Sequence, residues 1–192
     1  GIQLLDQNTI NKIAAGEVIE RPSSVVKELV ENAIDAGATA VTVEAKEGGI
    51  SFIRVTDNGS GIKKDEIDIA FKRHATSKIK SIEDLLTVSS LGFRGEALAS
   101  IAAVSQIELI TKTKDDITGT RYQSEGSEVI SVEDIGAPDG TTFIIRNLFF
   151  NTPVRRKFLK SAMTEAGYIN ALMQSSSTSS PAYNILYSLP RK

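Results

Sequence analysis

The sequence predicts an α+β sandwich, and three observations carry that expectation. Helical spacings fill the first 35 residues. Runs rich in β-branched residues dominate from Ile107 to Arg146, and the two kinds of run are segregated rather than alternating. At 192 residues, with 41% of them hydrophobic, the chain is long enough to bury one core.

Residues 4–20 place Ile10, Ile13, Ala14 and Val18 at spacings that share one face, which predicts a short N-terminal helix. A second helix is predicted over 23–35: Pro22 suits a first turn, and Gly37 supplies a stop after Ala36. At about 100° per residue, Val26, Leu29, Val30, Ala33 and Ile34 make one apolar stripe, with Glu28, Asn32 and Asp35 on the opposite side. Such a helix covers a core and displays carboxylates.

Val41, Val43 and Ala45 then alternate, Glu47-Gly48-Gly49 reads as a turn, and 50–56 is rich in β-branched and aromatic residues, which predicts a hairpin. It runs into Asp57-Asn58-Gly59-Ser60-Gly61, so the Asp57 carboxylate is expected at a strand end. Helical spacing resumes over 64–71. Residues 73–95 mix threonine, serine and glycine and predict a lid-like segment, and 96–104 predict another helix. The runs 107–113, 119–124, 128–132 and 141–146 predict a meander of short strands, with a turn at 136–140. A last helical pattern ends near Met173, and 174–180 is serine-rich and linker-like.

Composition narrows the function classes. Twenty-two basic residues against 24 acidic ones give a net charge of −2, so any nucleic-acid or membrane contact must be a local patch. The absence of cysteine and the single histidine, His74, exclude disulfides, thiolate chemistry and multi-histidine metal sites, while a hard cation on oxygen ligands stays compatible. No apolar run approaches the roughly 18 residues that span a bilayer, and the first residues lack a leader pattern. A soluble intracellular protein is expected, and the Gly1 start suggests trimming or an artificial first residue.

No G-x-x-x-x-G-K-[ST] loop occurs, and the stretch from Gly59 lacks the third glycine of G-x-G-x-x-G, so neither a P-loop nor a Rossmann site is predicted. Three weaker features remain. Glu28 and Asn32 lie one helical turn apart, pairing a carboxylate that can act as a base with an amide oxygen that can ligate a cation; spacing alone also fits a solvated helix face. Asp57 precedes a backbone nearly free of side chains, which a flat ring can approach, though D-N-G on its own is an ordinary turn. Gly92-Phe93-Arg94-Gly95 leads into a helix whose free N–H groups can cradle phosphates, or is simply a glycine-containing loop.

In this order the three features resemble the GHKL ATPases, the superfamily of gyrase B, the large heat-shock chaperones, histidine kinases and MutL. Longer stretches narrow the match. Ala14-Ala15-Gly16-Glu17-Val18-Ile19-Glu20-Arg21-Pro22, Lys27-Glu28-Leu29-Val30-Glu31-Asn32, Asp57-Asn58-Gly59-Ser60-Gly61-Ile62 and Arg73-His74-Ala75-Thr76-Ser77-Lys78 resemble the MutL family of DNA mismatch-repair proteins. So do Gly92-Phe93-Arg94-Gly95-Glu96-Ala97-Leu98 and Asn151-Thr152-Pro153-Val154-Arg155-Arg156-Lys157-Phe158. The likeness covers about 2–173.

The resemblance implies a two-layer Bergerat fold, a mixed and mostly antiparallel sheet with helices on one face, over 1–173. It implies that a second domain would begin in the serine-rich tail, 174–192, and is absent. It assigns Glu28 as the general base that activates water, and Asn32 as the Mg2+ ligand, with the remaining ligands coming from water and ATP phosphates. It places Asp57 on the adenine amino group, Gly61 and Ile62 beside the ring, and the Thr141 hydroxyl helping to hold Asp57 and the base. Thr76, Ser77 and Lys78 match lid contacts to phosphate and ribose, and Gly92, Phe93, Arg94, Gly95, Glu96, Ala97 and Leu98 match the loop around the triphosphate. ATP is implied to drive closure and dimerisation, with a MutS-like mismatch-recognition protein and a downstream nuclease or helicase as partners. DNA contact is implied mainly through the second domain, with Arg155, Arg156 and Lys157 as a local basic run. A bacterial-like cytoplasmic setting is implied, or a nuclear one in a eukaryote. Two alternatives stay open: a nucleotide-binding module with negligible turnover, and the ATPase region of another GHKL protein such as a type II topoisomerase.

Overall fold

The computed structural model describes residues 6–72, 94–177 and 183–188. Helices α1 (Gln7–Val18) and α2 (Pro22–Asp35) lead into β1 (Val41–Lys46), a 3-10 turn (Glu47–Gly49) and β2 (Phe52–Asp57). Then come α3 (Lys64–Phe71), α4 (Arg94–Ala103) and the strands β3 (Gln106–Lys112), β4 (Gly119–Glu125), β5 (Glu128–Ile135) and β6 (Gly140–Arg146). Helices α5 (Pro153–Lys157) and α6 (Ala162–Ser177) precede β7 (Tyr183–Ser188).

The seven strands form one sheet in the order β5-β4-β3-β6-β2-β1-β7. Every pairing is antiparallel except β1 with β7, which is parallel. The sheet is therefore mixed and mostly antiparallel, as the family resemblance implied. Strand alternation sends Val41, Val43, Ala45, Ile53, Val55, Phe143, Ile145, Ile107 and Leu109 into one buried core with the helices. The other face carries Lys46, Phe52 and Arg146 in one cross-strand row, with the Lys46 Nζ 4.8 Å from the Phe52 ring centre.

Helix α2 meets β1, β2, α4 and α6. Its buried residues are Pro22, Val25, Val26, Leu29, Val30 and Ala33, whereas Ile34, expected in the stripe, is 43% exposed. Helical rotation explains the exchange, because Val25 lies nearer the centre of the stripe than Ile34 does. The start of α2 is tied to α6 through the buried carboxylate of Glu165. Its Oε2 accepts the Lys160 N–H at 2.9 Å, and its Oε1 lies 3.9 Å from the Arg21 guanidinium.

Helix α1 departs from its expected face. Ile10 and Ile13 are 42% and 59% exposed, and Ala15 and Ile19 are buried instead. Polar contacts at its two ends help to fix it. Asp6 caps the first turn by accepting the Thr9 N–H at 2.7 Å, which holds the Asp6 carboxyl below its ordinary range. Arg155 donates to the carbonyl of Gly16, in the last turn, at 2.9 Å.

The last helical pattern is α6, which continues through the first serines to Ser177 rather than ending near Met173, and the short α5 precedes it.

Candidate functional site

The Asp57 corner is built where β2, β3 and β6 end together. Asp57 pairs with Thr141 across β2 and β6, and Thr111 pairs with Thr141 across β3 and β6. The Asp57 carboxylate accepts the Gly59 N–H at 2.8 Å and a backbone N–H from Thr141. Burial raises the Asp57 pKa above its ordinary value, against the lowering effect of those two N–H groups. A carboxylate placed this way keeps an acceptor available for a ligand in a partly dry setting.

Two glycines permit the corner. Gly61 has φ +73°, and a Cβ there would lie 2.1 Å from the Lys112 carbonyl oxygen. Gly140 has φ +119°, and its Cβ would lie 2.2 Å from the Asp57 carbonyl oxygen. Both strand ends are thus pressed against backbone, where no side chain fits.

The turn after Asp57 is fastened to the end of α2. Asn58 Oδ1 accepts the N–H groups of Thr39 and Ala40 at 2.8 and 3.0 Å, and Asn58 Nδ2 donates to the Thr39 hydroxyl at 2.7 Å. The Ala36 carbonyl accepts the Ser60 N–H at 2.9 Å, and the Ala36 N–H in turn donates to the Asn32 carbonyl. The D-N-G stretch therefore ties the end of β2 to the end of α2, beyond an ordinary turn.

Glu28 and Asn32 are both half-buried and Asp35 is exposed. The first two flank the apolar stripe of α2 at the edge of the core, rather than projecting from its far side as the spacing had suggested. Among the described residues no three histidine, cysteine, aspartate or glutamate side chains group to hold a metal. The donors that Glu28 and Asn32 offer, a carboxylate and an amide oxygen, are of the hard kind that a cation such as magnesium takes.

Ile62 reaches the corner through its N–H, which donates to the Thr111 hydroxyl at 2.8 Å. The Thr141 hydroxyl lies 2.9 Å from that of Thr111, so it is the Thr141 backbone that reaches Asp57. Thr111 escaped the sequence reading. Its signal was a polar residue in the core-facing register of Ile107 and Leu109.

Of the expected phosphate contacts, Thr76, Ser77, Lys78, Gly92 and Phe93 lie outside the described residues. Arg94, Gly95, Glu96, Ala97 and Leu98 open α4. Ala97 and Leu98 are buried, so a phosphate at the start of this helix would meet the backbone N–H of Ala97, in the first turn, rather than either side chain. In the basic run, Arg156 and Lys157 are exposed, whereas Arg155 is committed to Gly16.

Known proteins resemble this chain in sequence and in fold. Residues 19–141 match the family described as histidine kinase-, DNA gyrase B-, and HSP90-like ATPase. The chain is 68% identical over 180 residues to the DNA mismatch repair protein MutL of Agathobacter rectalis, covering 94% of this chain and 28% of that protein. It is 52% identical over 191 residues to MutL of Caldanaerobacter subterraneus subsp. tengcongensis, covering 100% of this chain and 32% of that protein. It thus spans less than a third of these relatives. Among solved structures, the Aquifex aeolicus MutL ATPase domain complexed with ADP superposes with a TM-score of 0.70 at 32% identity, covering 88% of this chain and 61% of that one. The N-terminal domain of a DNA repair protein gives a TM-score of 0.81 at 29% identity, covering 97% and 55%. The chain belongs to the histidine kinase-, DNA gyrase B- and HSP90-like ATPase family, and within that family its sequence resembles the MutL mismatch-repair proteins.

Proposed function

We propose that this chain binds ATP with magnesium and hydrolyses it as the ATPase region of a mismatch-repair protein, serving as a conformational switch. The observation that carries the reading is the half-buried Asp57 carboxylate, held by two backbone N–H groups at a glycine-framed strand end. A carboxylate there pairs with an exocyclic amino group and meets a 6-oxo group acceptor to acceptor, which favours adenine over guanine.

Glu28 takes the role of general base, holding and deprotonating the water that attacks the terminal phosphorus. Its half-buried place at the core edge suits a carboxylate that must meet one water without being flooded by solvent. Magnesium, when bound, neutralises charge developing on the phosphates, and Asn32 is the residue that would hold it. Thr76, Ser77 and Lys78 would close over the phosphates and ribose, and the backbone of 92–98 would cradle the triphosphate. The reading extends to partners: a MutS-like protein, a downstream nuclease or helicase, a second copy on ATP binding, and DNA, with Arg156 and Lys157 as exposed cations. Among the described residues no helix is long and apolar enough to cross a membrane, and a bacterial cytoplasmic setting is part of the reading.

The test is magnesium-dependent release of phosphate from ATP, paired with calorimetric binding of a non-hydrolysable ATP analogue. Glu28→Ala should lower turnover about 10²–10⁴-fold, the usual contribution of a general base, while binding is retained. Unchanged turnover would remove Glu28 from the role. Absence of analogue binding to the parent chain would remove the ATP reading itself.

A further inference from the structure

We infer that Thr111 is the positioning residue of the base corner, and that its hydroxyl fixes the Thr141 hydroxyl as an acceptor, so that the corner presents two acceptors to a purine. The inference rests on the reading of Asp57 as the base-binding carboxylate and assigns the selectivity of that same site to a residue two strands away.

The argument is an inventory of protons. Thr111 is 1% exposed and Thr141 is 6% exposed, so the bonds of Thr111 are made within the protein and Thr141 keeps a small accessible face. A threonine hydroxyl offers one proton and accepts two. The Thr111 oxygen accepts the Ile62 N–H at 2.8 Å, lies 3.1 Å from the Gly140 carbonyl and lies 2.9 Å from the Thr141 oxygen. The carbonyl can only accept, so its bond with Thr111 uses the single Thr111 proton. The remaining lone pair of Thr111 then takes the proton of Thr141. All three capacities of one buried oxygen are used, and Thr141 is left with lone pairs alone to offer.

The consequence falls on the ligand. Asp57 contributes carboxylate lone pairs and Thr141 hydroxyl lone pairs, and Asp57 and Thr141 face each other across β2 and β6. An amino group with two hydrogens satisfies such a pair, and a carbonyl satisfies neither. Buried polar groups left unpaired are what make a site of this kind reject the wrong ligand strongly. The same oxygen also holds Ile62 beside the ring and Gly140 against Asp57, so one hydroxyl sets both the walls and the polarity of the corner. Removing it frees the Thr141 proton to point at the ligand, where it would welcome a 6-oxo group.

The test is calorimetric titration of the chain with non-hydrolysable ATP and GTP analogues in magnesium, on Thr111→Val, Thr111→Ser, Thr141→Val and Asp57→Asn, with thermal melts of each. Thr111→Val should weaken the ATP analogue about tenfold and shrink the ATP-over-GTP preference by a similar factor, while Thr111→Ser restores both. Thr141→Val should lose preference without Thr111 being touched, so the inference stays testable if Thr111→Val does not fold. Parent-like preference in a folded Thr111→Val or in Thr141→Val, or failure of Thr111→Ser to restore it, would overturn the inference. Asp57→Asn separates the two readings. If it destroys preference while the threonine variants keep theirs, only the role of Thr111 falls. If Asp57→Asn binds both analogues as the parent does, the base-corner reading falls and takes the inference with it.

Discussion

Helix α2 holds Glu28 and Asn32 beside a stripe of buried apolar side chains, whereas the Asp57 corner is set by hydroxyls, amides and backbone pressed against backbone. Apolar burial is non-directional and tolerates repacking, provided volume is kept. The corner is directional, and at Gly61 and Gly140 it has no room for even one methyl group. The α2 side should therefore absorb conservative change, and the Asp57 corner should not.

The largest effect should come from Gly61→Ala, which combines a positive φ with a Cβ set against the Lys112 carbonyl. Strain and overpacking contribute about 1–3 kcal/mol each, so a loss of about 2–6 kcal/mol is expected in urea unfolding. A loss under about 1 kcal/mol would mean that the corner yields as easily as the helix. Leu29→Ala, at a position 1% exposed, should cost about 2–5 kcal/mol, and Leu29→Met less than about 1.5. Equal costs for the two Leu29 variants would contradict the tolerance claimed for α2.

Asp57→Asn probes the corner by pH. Because burial raises the carboxyl above its ordinary value of 3.8, the stability it contributes is fully present below that value and is lost as pH rises through the raised one. The melting temperature of Asp57→Asn relative to the parent should thus climb between pH 3.5 and pH 7, and a flat or falling difference would refute burial as the dominant cause. The smallest effect is expected from Ile34→Ala, at the exposed edge of the stripe, within about 0.5 kcal/mol of the parent.

The same contrast explains what was legible in the sequence. Helix α2 and the hairpin of β1 and β2 could be read because periodicity reports burial, and misplacing Ile34 for Val25 is an error of rotation within a correct helix. Helix α1 was harder. Its isoleucines suggested a buried face, but Asp6 and Arg155 act on its ends, and one of those partners is 139 residues distant from Gly16. Asp57 and the glycines after it could be placed at a strand end, since turn residues mark themselves. The use of Thr111 could not be seen, because it depends on three strand ends meeting in one register. Strand β7 was also missed, since six residues after a serine-rich run acquire their meaning only from the free edge of β1 that they cover.

That edge has a history in time. The parallel partner of β1 is made about 140 residues later, and at about 5–20 residues per second synthesis takes roughly 7–28 s to reach it. A hairpin such as β1–β2 closes within about 1–10 μs, so the nascent sheet waits through nearly the whole of its synthesis with one side of β1 unpaired. During that interval the edge can template pairing with any extended segment nearby, and the arrival of β7 is the event that ends the hazard.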